Sequence, residues 1–358
     1  MTRRTPSRAA DRFSERLLAW WDVHGRKDLP WQHEPTPYRV WVSEIMLQQT
    51  QVSTVIPYYQ RFMQRFPEVT TLADAPADEV LRHWSGLGYY ARARNLHRGA
   101  QLIRDVFHGE LPRDHATLLE LPGIGRSTAG AILALALGQH HPILDGNVKR
   151  VLTRYHGIEG WPGVKQVEAL LWEVAARHTP ALRSDHYTQA IMDFGATLCT
   201  RSRPSCELCP VGADCIARAE NRVALIPTPK PRRALPVRST QMLLLRKADA
   251  VLLMKRPPAG IWGGLWSLPE CPAQTDVAAW CREQLRCEVV DATRWTPLRH
   301  TFSHFHLDIQ PVLARYASDV DVIMDGPGTV WYNLDAPPPG GLAAPVQQLL
   351  TQLNSSLT

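Results

Sequence analysis

A proline-rich segment divides the sequence into two unlike parts. The stretch "IPTPKPRRALPVR", residues 226–238, holds four prolines among four basic residues: Pro227, Pro229, Pro231 and Pro236. Proline fixes its φ angle and lacks an amide hydrogen, so this stretch favours extended polyproline geometry and cannot build a core. A chain of 358 residues is long enough for two domains, each with its own core. We therefore predict domains at 1–225 and 239–358, joined by a linker at 226–238.

The two parts differ in their hydrophobic periodicity. From residue 12 to about 220, apolar residues recur every three or four positions, with breaks at "RFPEV", "GLGYY", "LPGIG" and "GWPG", which predicts helices almost throughout. After the linker, "STQMLLLRKADAVLLMKR" predicts two strands with a polar turn, "FHLDIQPVLARY" another strand, and "DVAAWCREQLRC" a helix between them. The predicted fold class is a multidomain protein with an all-α domain followed by an α+β domain.

The charge lies mainly in the first part. Residues 1–236 hold 30 Lys and Arg against 23 Asp and Glu, whereas residues 237–358 hold 10 against 11. A basic excess suits a polyanionic partner such as nucleic acid. The N-terminus lacks the apolar core of a signal peptide, and "AGAILALALG" is too short to span a bilayer. We therefore expect a cytoplasmic protein with no membrane association.

Four of the seven cysteines are clustered within seventeen residues in the pattern C-x6-C-x2-C-x5-C, namely Cys199, Cys206, Cys209 and Cys215. A short loop with four thiolates can wrap around tetrahedral zinc or a [4Fe–4S] cluster, and the spacing alone does not separate the two. The other three cysteines lack ligand spacing and are interpreted as structural: Cys271, Cys281 and Cys287.

A glycine turn precedes an aliphatic helix in "LLELPGIGRSTAGAILALAL", residues 118–137. Glycines let the backbone approach a ligand closely, and the following helix start offers unpaired amides to an anion. A phosphodiester would fit at this turn. An ordinary connection between two helices is the alternative.

Two carboxylates stand out by their neighbours. Glu44 lies in the apolar stretch "VWVSEIMLQQTQV", where a buried charge must be paired, exposed, or protonated through a raised pKa. An ion pair with a nearby arginine and a catalytic proton donor are both open. Asp145 in "HPILDGNVKRVLTR" precedes a helix, so an N-cap is its simplest role.

Several motifs together resemble one family. "LPGIGRSTA" resembles a helix-hairpin-helix, "LDGNVKRV" the aspartate motif downstream of it, and the cysteine loop the iron–sulfur loop of the endonuclease III superfamily of DNA glycosylases. The closest resemblance is to MutY-type adenine DNA glycosylases, through "SEIMLQQTQV", "GLGYYARARNL", "GRSTAGAI" and "CTRSRPSCELCP". "RPPAGIWGGLWSLP" and "RHTFSHFHLDI" resemble the Nudix-like C-terminal domain of that family.

The resemblance implies the chemistry. It assigns a [4Fe–4S] cluster to the four cysteines of residues 199–215, and it makes Glu44 the acid that protonates N7 of adenine while Asp145 stabilises the cationic sugar. Departure of a neutral base needs a proton donor, and the oxocarbenium-like sugar needs a nearby anion. The implied substrate is adenine opposite 8-oxoguanine or guanine in double-stranded DNA. The protein is expected to be a monomer associated with the nucleoid.

The resemblance also bears on strand cleavage. Relatives that cut the strand have a lysine at the position of Ser127, whose amine attacks the sugar and forms a Schiff base. With Ser127 among the substrate-contacting residues, we expect a monofunctional hydrolase that leaves an abasic site. Lys149 nearby could give slow strand cleavage as a side reaction. The alternative for Ser127 is that it only starts the helix.

Recognition residues follow from the same resemblance, because a base inside a duplex must be flipped out before it can react. The implied residues are Gln49, Tyr89 and the wedge Leu87 in the base stack; Arg26, Leu29, Trp31 and Gln189 around the flipped adenine; and Phe302, Ser303 and His304 against the opposite base. The alternatives are core packing for Leu87, Tyr89 and Trp31, and an ordinary hairpin tip for the last three.

Three other functions are compatible with parts of the sequence. A Nudix pyrophosphatase needs paired metal-binding glutamates of the R-E-x-x-E-E type, and "AWCREQLRCEV" has only Glu283 and Glu288. A mismatch sensor without catalysis would bind DNA through the basic domain and release no base. A pyrimidine-specific lyase is disfavoured by Ser127 and by the Nudix-like domain.

Overall fold

The computed structural model describes residues 8–231, 234–317 and 325–357. Arg232 and Arg233 of the predicted linker lie outside the described residues, as do 1–7, 318–324 and 358 within the predicted domains. The described residues form two compact units. Unit 1 holds those up to Asp74 and from Asn95 to 231, and unit 2 holds Ala75–Arg94 and those from 234 onward.

The part of the chain before the linker is helical, with short 3₁₀ turns in its loops. The helices are α1 (Arg8–His24), α2 (Pro37–Leu47), α3 (Val52–Arg65), α4 (Val69–Asp74), α5 (Ala77–Trp84), α6 (Ala91–Val106), α7 (His115–Glu120), α8 (Arg126–Leu137), α9 (Gly146–His156), α10 (Lys165–His178), α11 (Ser184–Thr197) and α12 (Ile216–Ala219).

The core of unit 1 forms around α8 and α11. Helix α8 is built from small and aliphatic residues, so it packs closely on α2, α7 and α11, and α11 packs in turn on α1 and α9. Gly130 of α8 shows how close this packing is, because an added Cβ there would lie 2.6 Å from the carbonyl oxygen of Pro142. The segment that leads into α9 is thereby pressed against α8.

Unit 2 is built on a mixed sheet, with strands β1 (Val237–Lys247), β2 (Ala250–Lys255), β3 (Trp266–Ser267), β4 (Glu270–Pro272), β5 (Val289–Arg294), β6 (Leu298–Thr301), β7 (His306–Tyr316) and β8 (Thr329–Asn333). The order along the sheet is β3-β2-β1-β7-β5, with β4 on β1, β6 on β7 and β8 on β2. The pair β1 and β7 is parallel, and the other pairs are antiparallel. Helix α13 (Val277–Trp280), with a π-helical continuation, lies between β4 and β5 in the sequence, and α14 (Ala344–Leu357) follows β8.

Residues 75–94 belong to unit 2 although they precede the linker by more than a hundred positions. Helix α5 buries Val80, Leu81 and Trp84. The hydroxyl of Tyr90 donates a hydrogen bond to the carbonyl of Leu342 at 3.0 Å. These contacts fix the "GLGYY" loop to the sheet unit, a connection that only tertiary contacts reveal.

The structure confirms the predicted fold class. The helical part is followed by an α+β unit, and the two strands and the turn predicted in "STQMLLLRKADAVLLMKR" correspond to β1, Ala248–Asp249 and β2. In the described ranges, no helix combines the length and the apolar character that crossing a membrane would require.

Candidate active site

Glu44 lies on α2, whose start is fixed by local sequence. The side chain of Thr36 accepts a hydrogen bond from the backbone N–H of Arg39, and Pro37 occupies the first helical position; both features are typical of a helix N-terminus. Glu44 is half-buried on a helix that otherwise buries most of its side chains. Within the described residues, the ion pair considered as an alternative for Glu44 is not found.

The electrostatics of Glu44 favour its neutral form. Burial raises the pKa of Glu44 to about 8, and the negative charge of Asp145 adds to the rise. Desolvation penalises an anion, because the low-dielectric surroundings cannot replace its hydration. Glu44 therefore keeps its proton at neutral pH, which is the state required of a general acid.

Asp145 caps α9, as the simplest interpretation predicted. Its carboxylate accepts hydrogen bonds from the backbone N–H of Val148 at 2.7 Å and from the side-chain amide of Asn147 at 3.4 Å. Burial raises the pKa of Asp145, but these donors and the charge of Arg150 oppose the rise. Donors to a carboxylate favour its ionised form. These donors thus act to ionise Asp145, whereas desolvation and the charge of Asp145 both act to keep Glu44 neutral.

Ser127 supports the segment that presents Asp145. Its hydroxyl accepts a hydrogen bond from the backbone N–H of Leu144 at 3.0 Å, one residue before the carboxylate. Lys149, on the first turn of α9, is bound to Glu168 with its Nζ 2.6 Å from Oε1. The lysine amine is thus engaged with a carboxylate, which reduces its availability as a nucleophile.

Sequence reasoning missed a buried carboxylate, Asp193 on α11. It accepts hydrogen bonds from the guanidinium of Arg26 at 2.6 and 2.9 Å, from the backbone N–H of Arg26 at 2.9 Å, from the indole of Trp21 at 3.1 Å and from the side-chain amide of Gln189 at 2.8 Å. Arg26 and Gln189, predicted to line one pocket, are brought together by this shared partner. The sequence places Asp193 one helical turn after Gln189, on the same face of α11, but it does not show the contact with Arg26.

Leu29 and Trp31 are buried rather than exposed on a surface, at 6% and 5% of their accessible area. The Trp31 ring makes an edge contact with the ring of Tyr59, with centroids 5.4 Å apart. The hydroxyl of Tyr59 is buried without a hydrogen-bond partner among the described residues. The segment around Trp31 therefore holds an apolar wall with one unsatisfied polar atom, which suits a ligand with a polar edge.

The four clustered cysteines line one small cavity of about 30 Å³, together with Arg154 and Gly212. Arg154 is almost fully buried, and its guanidinium donates to the carbonyl of Thr200 at 2.7 Å, to that of Ile226 at 2.8 Å and to the sulfur of Cys199 at 3.5 Å. In the part of the chain that the structure describes, no three His, Cys, Asp or Glu side chains are arranged to hold a single metal ion. Four cysteines that line a common cavity beside the buried Arg154 nevertheless fit a centre bound by anionic thiolates.

Helix α9 connects the cysteine loop to Asp145. The guanidinium of Arg150 donates to the carbonyl of Cys199 at 2.8 Å and to the side-chain oxygen of Asn147 at 2.8 Å. Asn147 in turn donates its amide to Asp145. The backbone of Cys199, a predicted cluster ligand, is thereby linked to the carboxylate of Asp145 through the side chains of Arg150 and Asn147.

The predicted hairpin lies between α7 and α8. Its turn spans residues 121–125, and the N-terminus of α8 has Gly125 at the cap position with no side-chain cap. Amides at an uncapped helix start are suited to bind an anion. The hairpin therefore presents the features expected of a phosphate contact.

The residues predicted to enter the base stack differ in exposure. Tyr89 of unit 2 is 51% exposed, and Gln49 of unit 1 is also exposed. Both have left-handed backbones, with φ of 49° and 60°, a conformation that is uncommon outside glycine and concentrated at functional sites. Leu87 is only 6% exposed, so a wedge role requires it to leave its packing.

Phe302, Ser303 and His304 form the tip of the hairpin between β6 and β7. The turn closes through the backbone N–H of Phe302, which donates to the carbonyl of Phe305 at 2.9 Å. The Phe302 ring stacks on that of Phe305 with centroids 4.5 Å apart, whereas Ser303 and His304 are exposed. The two polar side chains are therefore presented outward on a rigid aromatic base.

The helix that would carry a Nudix metal site has no paired glutamates. Glu283 lies in the π-helical stretch Cys281–Leu285, and Glu288 forms an exposed ion pair with Arg282 at 3.4 Å. Both carboxylates are exposed. This arrangement gives no support to pyrophosphatase chemistry.

Two family models match the sequence. Residues 42–177 match the HhH-GPD superfamily of base excision DNA repair proteins, and residues 240–352 match the NUDIX domain. The helical unit with its hairpin and carboxylate pair, followed by the mixed-sheet unit, thus defines a base excision repair glycosylase that carries a Nudix-like domain.

Sequence relatives narrow this class. The adenine DNA glycosylase of Buchnera aphidicola subsp. Acyrthosiphon pisum (strain APS) is 39% identical over 345 residues, covering 96% of this chain and 98% of the relative. The chain belongs to the adenine DNA glycosylase family. The resemblance inferred from the motifs is confirmed, and the protein is an enzyme, a DNA glycosylase.

Solved structures agree on the helical fold. A thermostable thymine-DNA glycosylase matches with a TM-score of 0.54 at 28% identity, covering 59% of this chain and 97% of that one. A non-covalent complex of endonuclease III with DNA matches with a TM-score of 0.52 at 20% identity, covering 61% and 99%. The second likeness concerns the fold alone.

Proposed function

We propose that this protein hydrolyses the N-glycosidic bond of adenine opposite 8-oxoguanine or guanine in double-stranded DNA. One observation carries the proposal most directly. Glu44 and Asp145 lie close enough for the charge of Asp145 to raise the pKa of Glu44, while at Asp145 backbone and side-chain donors oppose the rise in pKa that burial causes. Two carboxyl groups with opposite protonation states are what acid-assisted departure of a base from a sugar requires.

The reaction follows from the two protonation states. Glu44 gives its proton to N7 of the flipped adenine as the bond between C1′ and N9 breaks, and the bonding electron pair leaves with the base. The carboxylate of Asp145 stabilises the positive charge that develops on the sugar. A water molecule then adds its hydroxide to C1′ and returns a proton to Glu44, which leaves an abasic site and regenerates the acid.

The adenine pocket is supplied by unit 1. Leu29 and Trp31 provide apolar contacts to the purine ring, while Arg26 and Gln189 are oriented by their hydrogen bonds to Asp193. Since the amide of Gln189 is donated to Asp193, its side-chain oxygen is left to accept from the exocyclic amine of adenine. That contact would reject a purine that carries a carbonyl at the same position.

The opposite base is read by unit 2. Ser303 and His304 are exposed on a hairpin tip supported by Phe302, so they can contact a base edge. Exposed Tyr89 and Gln49 enter the stack beside the extruded nucleotide, with Leu87 as the wedge. The hairpin between α7 and α8 binds the phosphodiester backbone of the duplex.

The cysteine loop is proposed to hold a [4Fe–4S] cluster through Cys199, Cys206, Cys209 and Cys215. When bound, the cluster supplies a rigid cross-link for the loop of residues 199–215 rather than a reacting group. Arg150 and Arg154 of α9 bind carbonyls of this loop, so its order contributes to the position of α9 and of the Asp145 cap.

Strand cleavage is not part of the proposed reaction. Ser127 has a hydroxyl that accepts a hydrogen bond from the backbone, and it cannot form a Schiff base with the sugar. Lys149 is bound to Glu168. The proposed enzyme is therefore monofunctional.

The test uses a labelled duplex with one adenine opposite 8-oxoguanine, incubated with the purified protein and divided into samples with and without alkali. Release of free adenine with strand breaks only after alkali supports hydrolysis without lyase action. Binding of the duplex without release of adenine would instead support a mismatch sensor. Breaks without alkali would contradict the monofunctional mechanism.

A further inference from the structure

Trp262 of unit 2 has an unusual backbone and a buried ring. Its φ angle is 53°, in the left-handed region that bulky residues rarely adopt, yet the side chain is only 8% exposed. The ring lies against those of His300 and Phe302, with centroids 5.3 and 5.2 Å apart. A strained residue is thus retained directly behind the hairpin tip that carries Ser303 and His304.

The turn around Trp262 is stabilised by contacts with Arg256. The guanidinium of Arg256 lies over the Trp262 ring at 5.7 Å and donates to the carbonyl of Ile261 at 2.8 Å. The same arginine is paired with Glu270. These contacts tie the turn to Arg256 and Glu270 on the β2–β3 side.

The next two residues of the turn contact the segment that leads from Tyr89. Arg94 donates from its guanidinium to the carbonyl of Gly263 at 2.7 Å. A Cβ added at Gly264, where φ is 75°, would lie 3.5 Å from Leu81 and 4.0 Å from Arg94. One turn therefore touches the base-reading hairpin through a tryptophan ring and the stack-entering segment through its backbone.

The loop between Leu81 and Arg94 is rigid at its base and exposed at its tip. The backbone N–H of Gly86 donates to the hydroxyl of Tyr90 at 3.3 Å, and that hydroxyl donates to Leu342. Tyr90 is buried, whereas Tyr89 is largely exposed. Tyr89 lies five positions before Arg94, whose guanidinium contacts the turn at Gly263.

We propose that the turn of residues 256–265 couples reading of the opposite base to insertion of Tyr89 into the stack, with Trp262 and Arg94 as positioning residues. This inference rests on the proposed function. Contact of Ser303 and His304 with the correct opposite base fixes Phe302 against Trp262, and the turn then holds Arg94 and the Tyr89 loop in the inserted position. With the wrong opposite base, Phe302 is not fixed against Trp262, and the turn does not hold Arg94 and the Tyr89 loop in the inserted position.

The test is a double-mutant cycle on the full-length protein, using Arg94→Met, His304→Ala and both together. The measured quantity is the ratio of single-turnover adenine release from duplexes with 8-oxoguanine and with guanine opposite. If two residues act through one coupling, substituting the second after the first has little further effect on the ratio. We expect Arg94→Met to lower the ratio about tenfold, and the double variant to show no further fall below His304→Ala.

Matched variants separate positioning from folding. Arg94→Lys keeps a donor for the Gly263 carbonyl and should recover most of the ratio, whereas Arg98→Met, the same change at an exposed arginine one turn further along α6, should leave it unaltered. Trp262→Phe provides a second cycle with His304→Ala if Arg94→Met does not fold. A ratio unchanged in Arg94→Met and Trp262→Phe, or losses that multiply in the double variants, would overturn the coupling.

Failure of the proposed function gives a different result. If the unaltered protein releases adenine from neither duplex, the proposed glycosylase specificity itself is wrong. If it releases adenine selectively and the variants keep that selectivity, only the coupling is wrong.

Discussion

Asp145 raises the pKa of Glu44 by its negative charge, and Glu44 has no compensating cation among the described residues. The two carboxyl groups come from helices α2 and α9, a hundred positions apart in the sequence. Their surroundings differ, because Asp145 accepts hydrogen bonds at a helix start while Glu44 lies on an apolar helix. This difference in environment supports the proposed roles of Glu44 as the acid and Asp145 as the anion.

The rate of adenine release should fall at alkaline pH. Glu44 must be protonated to act as the acid, and its pKa is raised to about 8, so the single-turnover rate is expected to drop about tenfold per pH unit above that value. The measurement is the rate on a duplex with adenine opposite 8-oxoguanine between pH 6 and 9.5. A rate that stays constant through pH 9.5 would rule out Glu44 as the acid.

Asp145→Asn should separate the effect of helix capping from the effect of the negative charge on adenine release. Asparagine caps helices as well as aspartate, so α9 should keep its start, while the loss of the anion should slow adenine release by at least about a hundredfold. Asp114→Asn is the matched control, because Asp114 caps α7 and accepts a hydrogen bond from Thr117. Equal slowing in both variants would mean that the effect comes from helix capping.

Ser127→Lys should introduce strand cleavage. The new amine would replace the hydroxyl that accepts a hydrogen bond from the backbone of Leu144, one residue before the carboxylate that is proposed to stabilise the sugar. We expect a Schiff base with DNA that borohydride traps as a covalent adduct, absent from the unaltered protein. Adduct formation by the unaltered protein at a similar level would point to Lys149 instead, and Lys149→Gln would then abolish it.

The apolar surroundings of Glu44 have a stability cost that depends on pH. The folded protein keeps the Glu44 proton up to about pH 8, whereas an ordinary glutamate releases it near 4.5, so raising the pH between these values favours the unfolded state. Glu44→Gln has no proton to lose and should be more stable than the parent at pH 8 by about 1–2 kcal/mol, with a smaller gain at pH 5.

Melting temperatures of both proteins at the two pH values measure this gain. Glu173→Gln, at an exposed position on α10, is the control and should show no pH-dependent gain. A gain of equal size at pH 5 and pH 8 would show that the proton on Glu44 is not responsible.

Local patterns predicted the elements that depend on nearby residues. The alternation in "FHLDIQPVLARY" predicts β7, and the Asp before "GNVKRV" predicts the cap of α9. Strand period and helix capping are set within a few positions, so a single sequence contains them. The four cysteines were found for the same reason, since their spacing is local.

Features that depend on distant contacts were not predictable. Asp193 is buried on α11, and only the fold brings it to Arg26. The assignment of α5 and the Tyr89 loop to the sheet unit depends on partners such as Leu342, more than 250 positions away. The π-helical turn after α13 likewise has no local signature in its sequence.

The most direct test of the account is adenine release by Glu44→Gln. Glutamine preserves the size of the side chain and removes the transferable proton. We expect single-turnover release from a duplex with adenine opposite 8-oxoguanine to fall by at least about a thousandfold, with the dissociation constant for that duplex changed by less than about threefold. Release by Glu44→Gln at a rate near that of the parent would contradict the assignment of Glu44 as the proton donor.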